Sequence, residues 1–346
     1  MKRFDRRWQS RLTFRLFGLI VACAAVTQSS FGQSPHKSDA VPAPPGRLVN
    51  IGGERLHVNC TGSGSPAVLL ESGVGDVSVI WSLVQPSIAT FTRVCSYDRA
   101  GYAWSDPGTT PRTFAQLATE LHTALDTLHV SGPFILVGQS YGGLVARGFA
   151  KRYPREVAGM VLVDAVHEDE QLVWGGQTHR IRDGAAGRSF PSPVIRLNSD
   201  LLAKARDLPI DSEGAQLEPP LDRLPDSARS IWVWAESRPL IRLAQAAEMD
   251  WSPEELAMMH AERVNRRSSL GDIPLVVLAR GNGGYADGMS ISADSLERER
   301  RALQSDLAHL SSRGRLMFVK NAGHNIHVEA PAIVIDAIRD VVNQTR

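Results

Sequence analysis

The stretch FILVGQSYGG at residues 134–143 constrains the fold more than any other part of the sequence. Its apolar start predicts a buried strand, and the residues after it, 144–150, have a pattern typical of a helix. In the G-x-S-x-G pattern a sharp strand-to-helix turn lifts the serine out of the sheet, and the small flanking residues let neighbouring backbone approach closely. We therefore predict that Ser140 is a catalytic nucleophile. The N–H of Tyr141, at the start of the helix, is then placed to bind negative charge that develops on a substrate oxygen.

A serine hydroxyl is a poor nucleophile near neutral pH. Ser140 therefore needs a basic side chain within hydrogen-bonding distance, and that base needs an acid to fix its tautomer. His324 is the predicted base, because it follows the last predicted strand, 315–319, in a glycine-containing loop that can bring an imidazole over the serine. His327, in the same loop, is expected to be a structural residue that forms hydrogen bonds.

Two carboxylates compete for the role of the acid. Asp164 ends the predicted strand 157–164, the first strand after the nucleophile, and an acid at that strand tip can reach the same imidazole. Asp287 lies at the far end of a glycine-rich loop that follows the predicted strand 273–279. The sequence favours Asp164 and leaves Asp287 as the alternative acid, with Asp169 and Glu170 as further candidates. The other interpretation of Asp164 is a structural aspartate at the end of a strand.

Strands and helices alternate over residues 46–164 and again over 273–346, which predicts an α/β fold with a mostly parallel sheet and helices on both faces. With 43% apolar residues, the chain can bury a large core.

The alternation of strands and helices lapses over residues 165–272, where mixed helical segments replace clear buried strands. We predict that this segment, the lid, folds over the site. Its aromatic and thioether side chains could line an acyl or aryl pocket or form the lid's own core. They are Trp174, Trp232, Trp234, Met249, Trp251, Met258 and Met259.

The first 32 residues are predicted to be a secretory signal. Six basic residues precede a short apolar run at 16–26, which is too short for a bilayer span, and small and polar residues follow it. We expect cleavage within residues 27–33, and we expect the Pro- and Ala-rich segment 33–45 to be a disordered linker. The protein is thus predicted to be exported, to the periplasm or beyond. An alternative is a lipid anchor at Cys23.

The charge balance limits the partners of this chain. The net charge is +1 and no basic stretch recurs after the N-terminal segment, so the sequence predicts a small-molecule substrate and no nucleic acid. No membrane span is expected, and the oligomeric state stays open. A metal site on His167, Glu168 and Asp169 is not expected either, because adjacent residues converge poorly on one ion.

Three motifs together resemble the α/β-hydrolase superfamily, in particular exported bacterial serine hydrolases with a helical lid. They are GQSYGG at 138–143, VCSYDRAG at 94–101 with WSD at 104–106, and GHNIHVE at 323–329. The resemblance covers residues 47–164 and 273–346. It implies a mostly parallel sheet of eight strands and acyl transfer to water without a cofactor.

The resemblance also suggests roles for three further residues. The glycine-rich loop SGVGD at 72–76 follows a predicted strand at the place where this superfamily supplies a second oxyanion donor, which makes the N–H of Val74 the candidate. Many relatives have His-Gly where this chain has Ser72 and Gly73.

Cys60 and Cys95 fall on strands that would lie side by side in this fold. A disulfide between them is therefore expected in an exported chain, with two free thiols as the alternative.

Cleavage of a carboxylic ester or a lactone is the predicted reaction. A serine nucleophile argues against epoxide hydrolysis and dehalogenation, which use aspartate on this fold. The first alternative is an amidase or aminopeptidase, in which a lid carboxylate such as Glu236, Glu248 or Asp250 would bind an amine. The second alternative is a binding protein that has the hydrolase fold without its activity.

Overall fold

A sheet of eight strands forms the centre of the molecule. The computed structural model describes residues 41–174, 177–186, 198–209, 215–250, 252–265, 269–284 and 292–346. Within them the strands are β1 (Arg47–Asn50), β2 (Arg55–Thr61), β3 (Ala67–Glu71), β4 (Val94–Asp98), β5 (Phe134–Gln139), β6 (Val157–Val163), β7 (Gln171–Trp174), β8 (Gln177–Arg180), β9 (Leu275–Arg280) and β10 (Gly314–Val319). The predicted signal and most of the predicted linker lie outside the described residues.

The strand order in the sheet is β1-β2-β4-β3-β5-β6-β9-β10. Strands β1 and β2 are antiparallel to their neighbours, and every other pair in this sheet is parallel. The prediction of a mostly parallel eight-stranded sheet is confirmed. Parallel strands present their carboxyl ends at one edge of a sheet, so the loops after β3, β5 and β6 meet there.

Helices cover both faces of this sheet. Within the described residues they are α1 (Gln85–Ile88), α2 (Phe114–Thr127), α3 (Gly142–Arg152), α4 (Ser199–Ala205), α5 (Asp226–Glu236), α6 (Pro239–Met249), α7 (Ser252–Asn265), α8 (Ala293–Ala308), α9 (Ile326–Glu329) and α10 (Pro331–Gln344). Short 3-10 helices span Ser78–Trp81, Pro154–Glu156, Ile181–Ala186 and Leu221–Arg223. Among the described helices, none is long and apolar enough to cross a membrane.

The apolar core is split by the sheet into two layers. Consecutive residues of β5 alternate between them: Ile135 and Val137 pack into the layer that also holds α10, and Leu136 packs into the layer under α2 and α3. Because both faces are covered, the central strands are apolar throughout rather than at every second residue. This is why an unbroken apolar run precedes Ser140.

The first hairpin and the disulfide fix the antiparallel edge of the sheet. Gly52 and Gly53 connect β1 and β2 with φ values of 114° and 125°, which a residue with a side chain rarely adopts. Cys60 of β2 lies directly opposite Cys95 of β4 in the strand register, and the two are joined by a disulfide. The predicted pairing of these cysteines is confirmed.

The lid segment lies between β6 and β9 and contains more than helices. Strands β7 and β8 form a small antiparallel hairpin before α4 to α7. The predicted helical segments are therefore accompanied by a hairpin that the sequence analysis did not predict. Each of the two strands has only four residues, too few to show a period in the sequence. Helix α5 packs on the core through Trp232 and Trp234, in the same cluster as Trp104.

Replacing both Cys60 and Cys95 by alanine should lower the free energy of unfolding by about 3–4 kcal/mol. The bridge joins positions 35 apart and thereby lowers the conformational entropy of the unfolded chain. Without the bridge the unfolded chain regains this entropy, which favours unfolding. Urea unfolding of the oxidised proteins measures the difference. As the control, a reductant should destabilise the wild type and leave the variant unchanged. Equal stability of the oxidised wild type and the variant would contradict the prediction.

Candidate active site

Ser140 occupies a strained turn between β5 and α3, with a φ of 53°. The turn needs glycine on both sides of the serine. A Cβ on Gly138 would lie 2.5 Å from the carbonyl oxygen of Gly142, and a Cβ on Gly142 would lie 2.5 Å from the carbonyl oxygen of Glu71. Real contacts are never this short, so the backbone can only pass here without side chains. The strand-turn-helix geometry predicted for the G-x-S-x-G pattern is therefore present.

Backbone hydrogen bonds attach the turn to the tip of β6. The N–H of Ser140 donates to the carbonyl of Val163 at 3.2 Å, and the carbonyl of Ser140 accepts from the N–H of Val166 at 3.0 Å. The Ser140 carbonyl also accepts from the N–H of Gly143 at 3.0 Å. The serine is thus held next to the residue that follows β6, which is Asp164.

His324 and Asp164 form a hydrogen bond of 2.7 Å between Nδ1 and Oδ2. Asp164 comes directly after β6, with a φ of 43°, and its N–H donates to the carbonyl of Leu278 in β9 at 2.7 Å. His324 follows β10 in the loop before α9. Because Nδ1 is bound to the carboxylate, Nε2 is the nitrogen that can accept a proton from a hydroxyl group.

Two arginines lie at the other carboxylate oxygen of Asp164. Oδ1 accepts from the backbone N–H of Arg280 at 2.9 Å and from the guanidinium of Arg300. Burial opposes the ionisation of Asp164. The hydrogen bond from His324 and the charges of Arg300 and Arg280 nevertheless outweigh it and lower the pKa to about 2. Asp164 is therefore ionised at neutral pH.

The sequence analysis missed Arg300, although a signal was present. Arg300 lies on the buried side of α8, in line with Leu296 and Gln304. A charged residue on the apolar face of an amphipathic helix needs a buried partner of opposite charge. This pattern could have pointed to a buried acid, but not to which one.

Asp287, the alternative acid, lies outside the described residues. Asp169, a further candidate, binds Arg182 and Arg263. Asp164 is the predicted acid that the structure brings to the imidazole.

The loop at residues 72–76 passes directly beside the serine. A Cβ on Gly73 would lie 3.3 Å from Cβ of Ser140, so the loop backbone is in contact with this serine. Val74 follows in this loop, and Tyr141 follows the serine. Among the described residues, neither of their N–H groups donates to a backbone carbonyl or a side chain. Both predicted oxyanion donors are therefore available for a ligand.

Asp76 is a second carboxyl group at the site, and the sequence analysis did not single it out. Its Oδ2 lies 3.1 Å from the position that a Cβ on Gly73 would occupy, next to Ser140. Burial raises the pKa of Asp76 to about 6, while the Trp232 indole and the charges of His324 and Arg99 partly offset this effect. An acid whose pKa is close to neutral pH thus lies near enough to His324 for the two charges to interact.

The expectation for His327 was wrong in one respect. The side chain is fully buried and faces Trp81, with 4.8 Å between the ring centroids. Within the described residues, neither of its ring nitrogens has a hydrogen-bond partner. Burial lowers its pKa to about 3, so the ring is neutral and packs as an apolar side chain. The residue is structural, as predicted, but it does not form the predicted hydrogen bonds.

Glu248, one of the lid carboxylates considered for binding an amine, already has partners. It is fully buried, and its two oxygens accept from Arg99 and Tyr102. Glu236 is also buried, and Asp250 directly follows α6. Glu248 is therefore not available to a substrate amine.

Part of the lid forms an apolar surface next to the loop at residues 72–76. Val74, Val166, Met249 and Met259 are partly buried and pack on a cluster around Tyr141. Met249 and Met259 therefore pack on the core, whereas Met258 is 56% exposed. The side chains of Trp174 and Trp251 lie outside the described residues.

Within the described residues, no group of three or more His, Cys, Asp and Glu side chains is arranged to hold a metal ion. His167, Glu168 and Asp169 bind charged side chains of other elements instead: Asp306 for His167, Arg147 and Arg263 for Glu168, and Arg182 and Arg263 for Asp169. These bonds attach the start of the lid segment to α3, α8 and the 3-10 helix Ile181–Ala186.

The profile of the family described as alpha/beta hydrolase fold matches residues 66–331. Among curated proteins, the chain is 33% identical over 324 residues to the probable transporter efuK of Hormonema carpetanum. That match covers 86% of this chain and 42% of the relative, so the chain spans less than half of that protein.

Two solved structures share this fold at low sequence identity. The epoxide hydrolase CorEH has a TM-score of 0.57 at 19% identity, over 87% of this chain and 98% of its own. An esterase from Thermogutta terrifontis has a TM-score of 0.57 at 20% identity, over 86% of this chain and 97% of its own. At such identities the likeness extends to the fold alone.

The free energy of unfolding should decrease at low pH, as Asp164 becomes protonated. The pKa of Asp164 falls from 3.8 to about 2 on folding, so its contribution is complete above pH 3.8 and is lost as the pH falls through about 2. The shift corresponds to about 2 kcal/mol. Asp164→Asn should therefore destabilise the protein at pH 7, and its difference from the wild type should shrink between pH 4 and pH 2. Urea unfolding at each pH measures this.

The exposed carboxylate of Asp126 provides the control. Asp126→Asn should change the stability by less than about 1 kcal/mol at every pH, because an exposed ion pair contributes little. A difference between Asp164→Asn and the wild type that stays constant down to pH 2 would contradict the assigned pKa.

Proposed function

Because the chain belongs to the α/β-hydrolase fold family, we propose that it is a serine hydrolase that cleaves a carboxylic ester or a lactone of a small molecule. The observation that carries the proposal is the 2.7 Å hydrogen bond between His324 and Asp164, beside the strand tip that presents Ser140. In this proposal Ser140 is the nucleophile, His324 is the base and Asp164 is the ionised acid, and each follows a strand that ends at the same edge of the sheet.

The first half of the reaction forms an acyl-enzyme. The Ser140 hydroxyl gives its proton to Nε2 of His324 while its oxygen attacks the carbonyl carbon of the ester. The carbonyl oxygen becomes an oxyanion, which the N–H groups of Tyr141 and Val74 bind. Each such donor contributes about 3–4 kcal/mol to lowering the barrier. The proton on His324 then passes to the leaving alcohol, and the acyl group stays on Ser140.

The second half returns the free enzyme. A water molecule gives a proton to His324 and attacks the acyl carbon, and the same two N–H groups bind the second oxyanion. The proton on His324 passes to Ser140 as the acid is released. In both halves Asp164 holds the proton on Nδ1 and stabilises the imidazolium, because its low pKa keeps it ionised.

The nucleophile favours esters over epoxides. Opening an epoxide on this fold uses an aspartate at the position of Ser140, so the likeness of this chain to an epoxide hydrolase supports the fold and not that reaction. The apolar surface formed by Val74, Met249 and Met259 favours an apolar acyl or alkyl group in the substrate.

A second candidate is an amidase or aminopeptidase, and Asp76 is the observation that favours it. The Asp76 carboxyl lies next to Ser140, where it could bind an ammonium group close to the scissile bond. Glu248 cannot take this role because Arg99 and Tyr102 occupy it. A binding protein without catalysis is the third candidate.

We further propose that the protein is exported after cleavage within residues 27–33. The Cys60–Cys95 disulfide supports this, because such bridges persist in oxidising compartments. N-terminal sequencing of the protein recovered from the periplasm or the medium should give a start in this range. An intact N-terminus in the cytoplasm would contradict export, and a lipidated Cys23 would favour the anchored alternative.

The purified protein should react covalently with a fluorophosphonate probe. Ser140→Ala should abolish labelling and lower kcat at least about 10⁴-fold, because the nucleophile is lost. Ser312→Ala, at an exposed serine, is the matched control and should behave as the wild type. A folded wild type that is not labelled would favour the binding protein without catalysis.

A panel of p-nitrophenyl esters beside aminoacyl anilides separates the two enzyme candidates. We expect turnover of the esters. Turnover of the anilides alone, with kcat/KM reduced at least tenfold in Asp76→Asn, would establish the aminopeptidase instead.

A further inference from the structure

Arg99 is a buried cation between the lid and residues 72–76, which we call the oxyanion loop because they carry the proposed donor Val74. It directly follows β4, and only 3% of it is exposed. Arginine has five N–H donors, and in Arg99 all of them are used. Nη1 donates to Oε1 of Glu71 at 2.7 Å and to the carbonyl of Ser72 at 2.8 Å. Nη2 donates to the carbonyl of Gly73 at 2.9 Å and to Oε2 of Glu248 at 3.1 Å, and Nε donates to Oε1 of Glu248 at 2.8 Å.

The bond to Gly73 acts on Val74 through a shared peptide group. The carbonyl of Gly73 and the N–H of Val74 belong to one planar trans unit, in which they point in opposite directions. Arg99 fixes the carbonyl and so fixes the direction of the N–H. The positive charge also polarises the peptide group and makes the N–H a stronger donor.

Glu248 connects the lid to both oxyanion donors. Besides Arg99 it accepts from the Tyr102 hydroxyl at 2.8 Å, and this hydroxyl accepts from the N–H of Gly75 at 3.3 Å. The backbone carbonyl of Glu248 accepts from the hydroxyl of Tyr141 at 3.3 Å. One residue of α6 thus holds the residues on both sides of Val74 and the side chain of Tyr141.

We propose that Arg99, held by Glu248 of the lid, is a positioning residue that aims the Val74 N–H at the oxyanion. The oxyanion hole is then complete only while α6 is docked on the core. This inference rests on the proposed acyl transfer at Ser140, and it adds a role for the lid beyond covering the substrate. Buried ion pairs contribute little net stability compared with apolar packing. The contacts with the two loop carbonyls therefore point to positioning.

The test compares Arg99→Lys with Arg147→Lys. A lysine keeps the charge, but its compact ammonium cannot bridge Glu71, Glu248 and two carbonyls at once. Arg147 is the matched control, because it is also buried and also pairs with a glutamate of the lid segment. It lies on the core helix α3, and its partner is Glu168. In the described part of the chain it has no bond to residues 72–76.

We expect Arg99→Lys to lower kcat for a p-nitrophenyl ester by about 10- to 100-fold, with KM changed less than about threefold. The affinity for a trifluoromethyl ketone, which forms an oxyanion on Ser140, should fall by the same factor as kcat/KM. Arg147→Lys should lower the Tm as much and leave kcat within about twofold of the wild type. Glu248→Gln should reduce kcat in the same direction as Arg99→Lys, and it serves as the test if Arg99→Lys does not fold.

An unchanged kcat in a folded Arg99→Lys, or a loss of kcat without a loss of ketone affinity, would overturn the positioning role. An equal loss of kcat in Arg147→Lys would overturn it too, because the effect would then follow stability. Failure of the proposed function is distinct, since it appears as a wild type that the fluorophosphonate does not label.

Discussion

The close approach of the backbone at Gly142 to the end of β3 is the contact on which the rest of the site depends. A Cβ at this position would lie 2.5 Å from the carbonyl oxygen of Glu71 and 2.6 Å from that of Ser72. Because glycine has no side chain, α3 can begin directly against the strand end, next to Ser140 with its φ of 53°. The same contact brings the loop after β3 beside the serine. One close approach thus places both the proposed nucleophile and the proposed oxyanion donors.

The two carboxyl groups whose charge interacts with His324 differ in their surroundings. Asp164 lies against Arg300, and its pKa of about 2 keeps it ionised at neutral pH. Asp76 has no such arginine bound to it in the described part of the chain, and burial raises its pKa to about 6. Two carboxyl groups whose pKa values are moved apart by their surroundings are typical of sites that transfer protons. The proposed acid and the titrating acid are distinguished by their partners, not by their residue type.

The local parts of the site could be predicted from the sequence. The apolar run and the glycines around Ser140 predict the strand, the turn and the helix, since steric limits on a glycine-flanked turn act within a few residues. The pairing of His324 with Asp164 could also be predicted, because parallel strands end at one edge of the sheet. The contacts of Glu248 and Arg300 could not. The burial pattern of a helix indicates that such a residue is buried, but the partner lies more than a hundred positions away.

The sequence by itself determined the sheet, the turn at Ser140 and the residues that the proposed chemistry needs. The sheet and the turn follow from short-range sterics and from the alternation of apolar strands and helices. The tertiary structure alone decided that Arg300 binds the carboxylate that pairs with His324, and that a lid glutamate holds the arginine next to residues 72–76. Hydrogen bonds and ion pairs form only when side chains from distant segments come within about 3 Å of each other. That depends on how whole helices pack, which no local pattern of residues specifies.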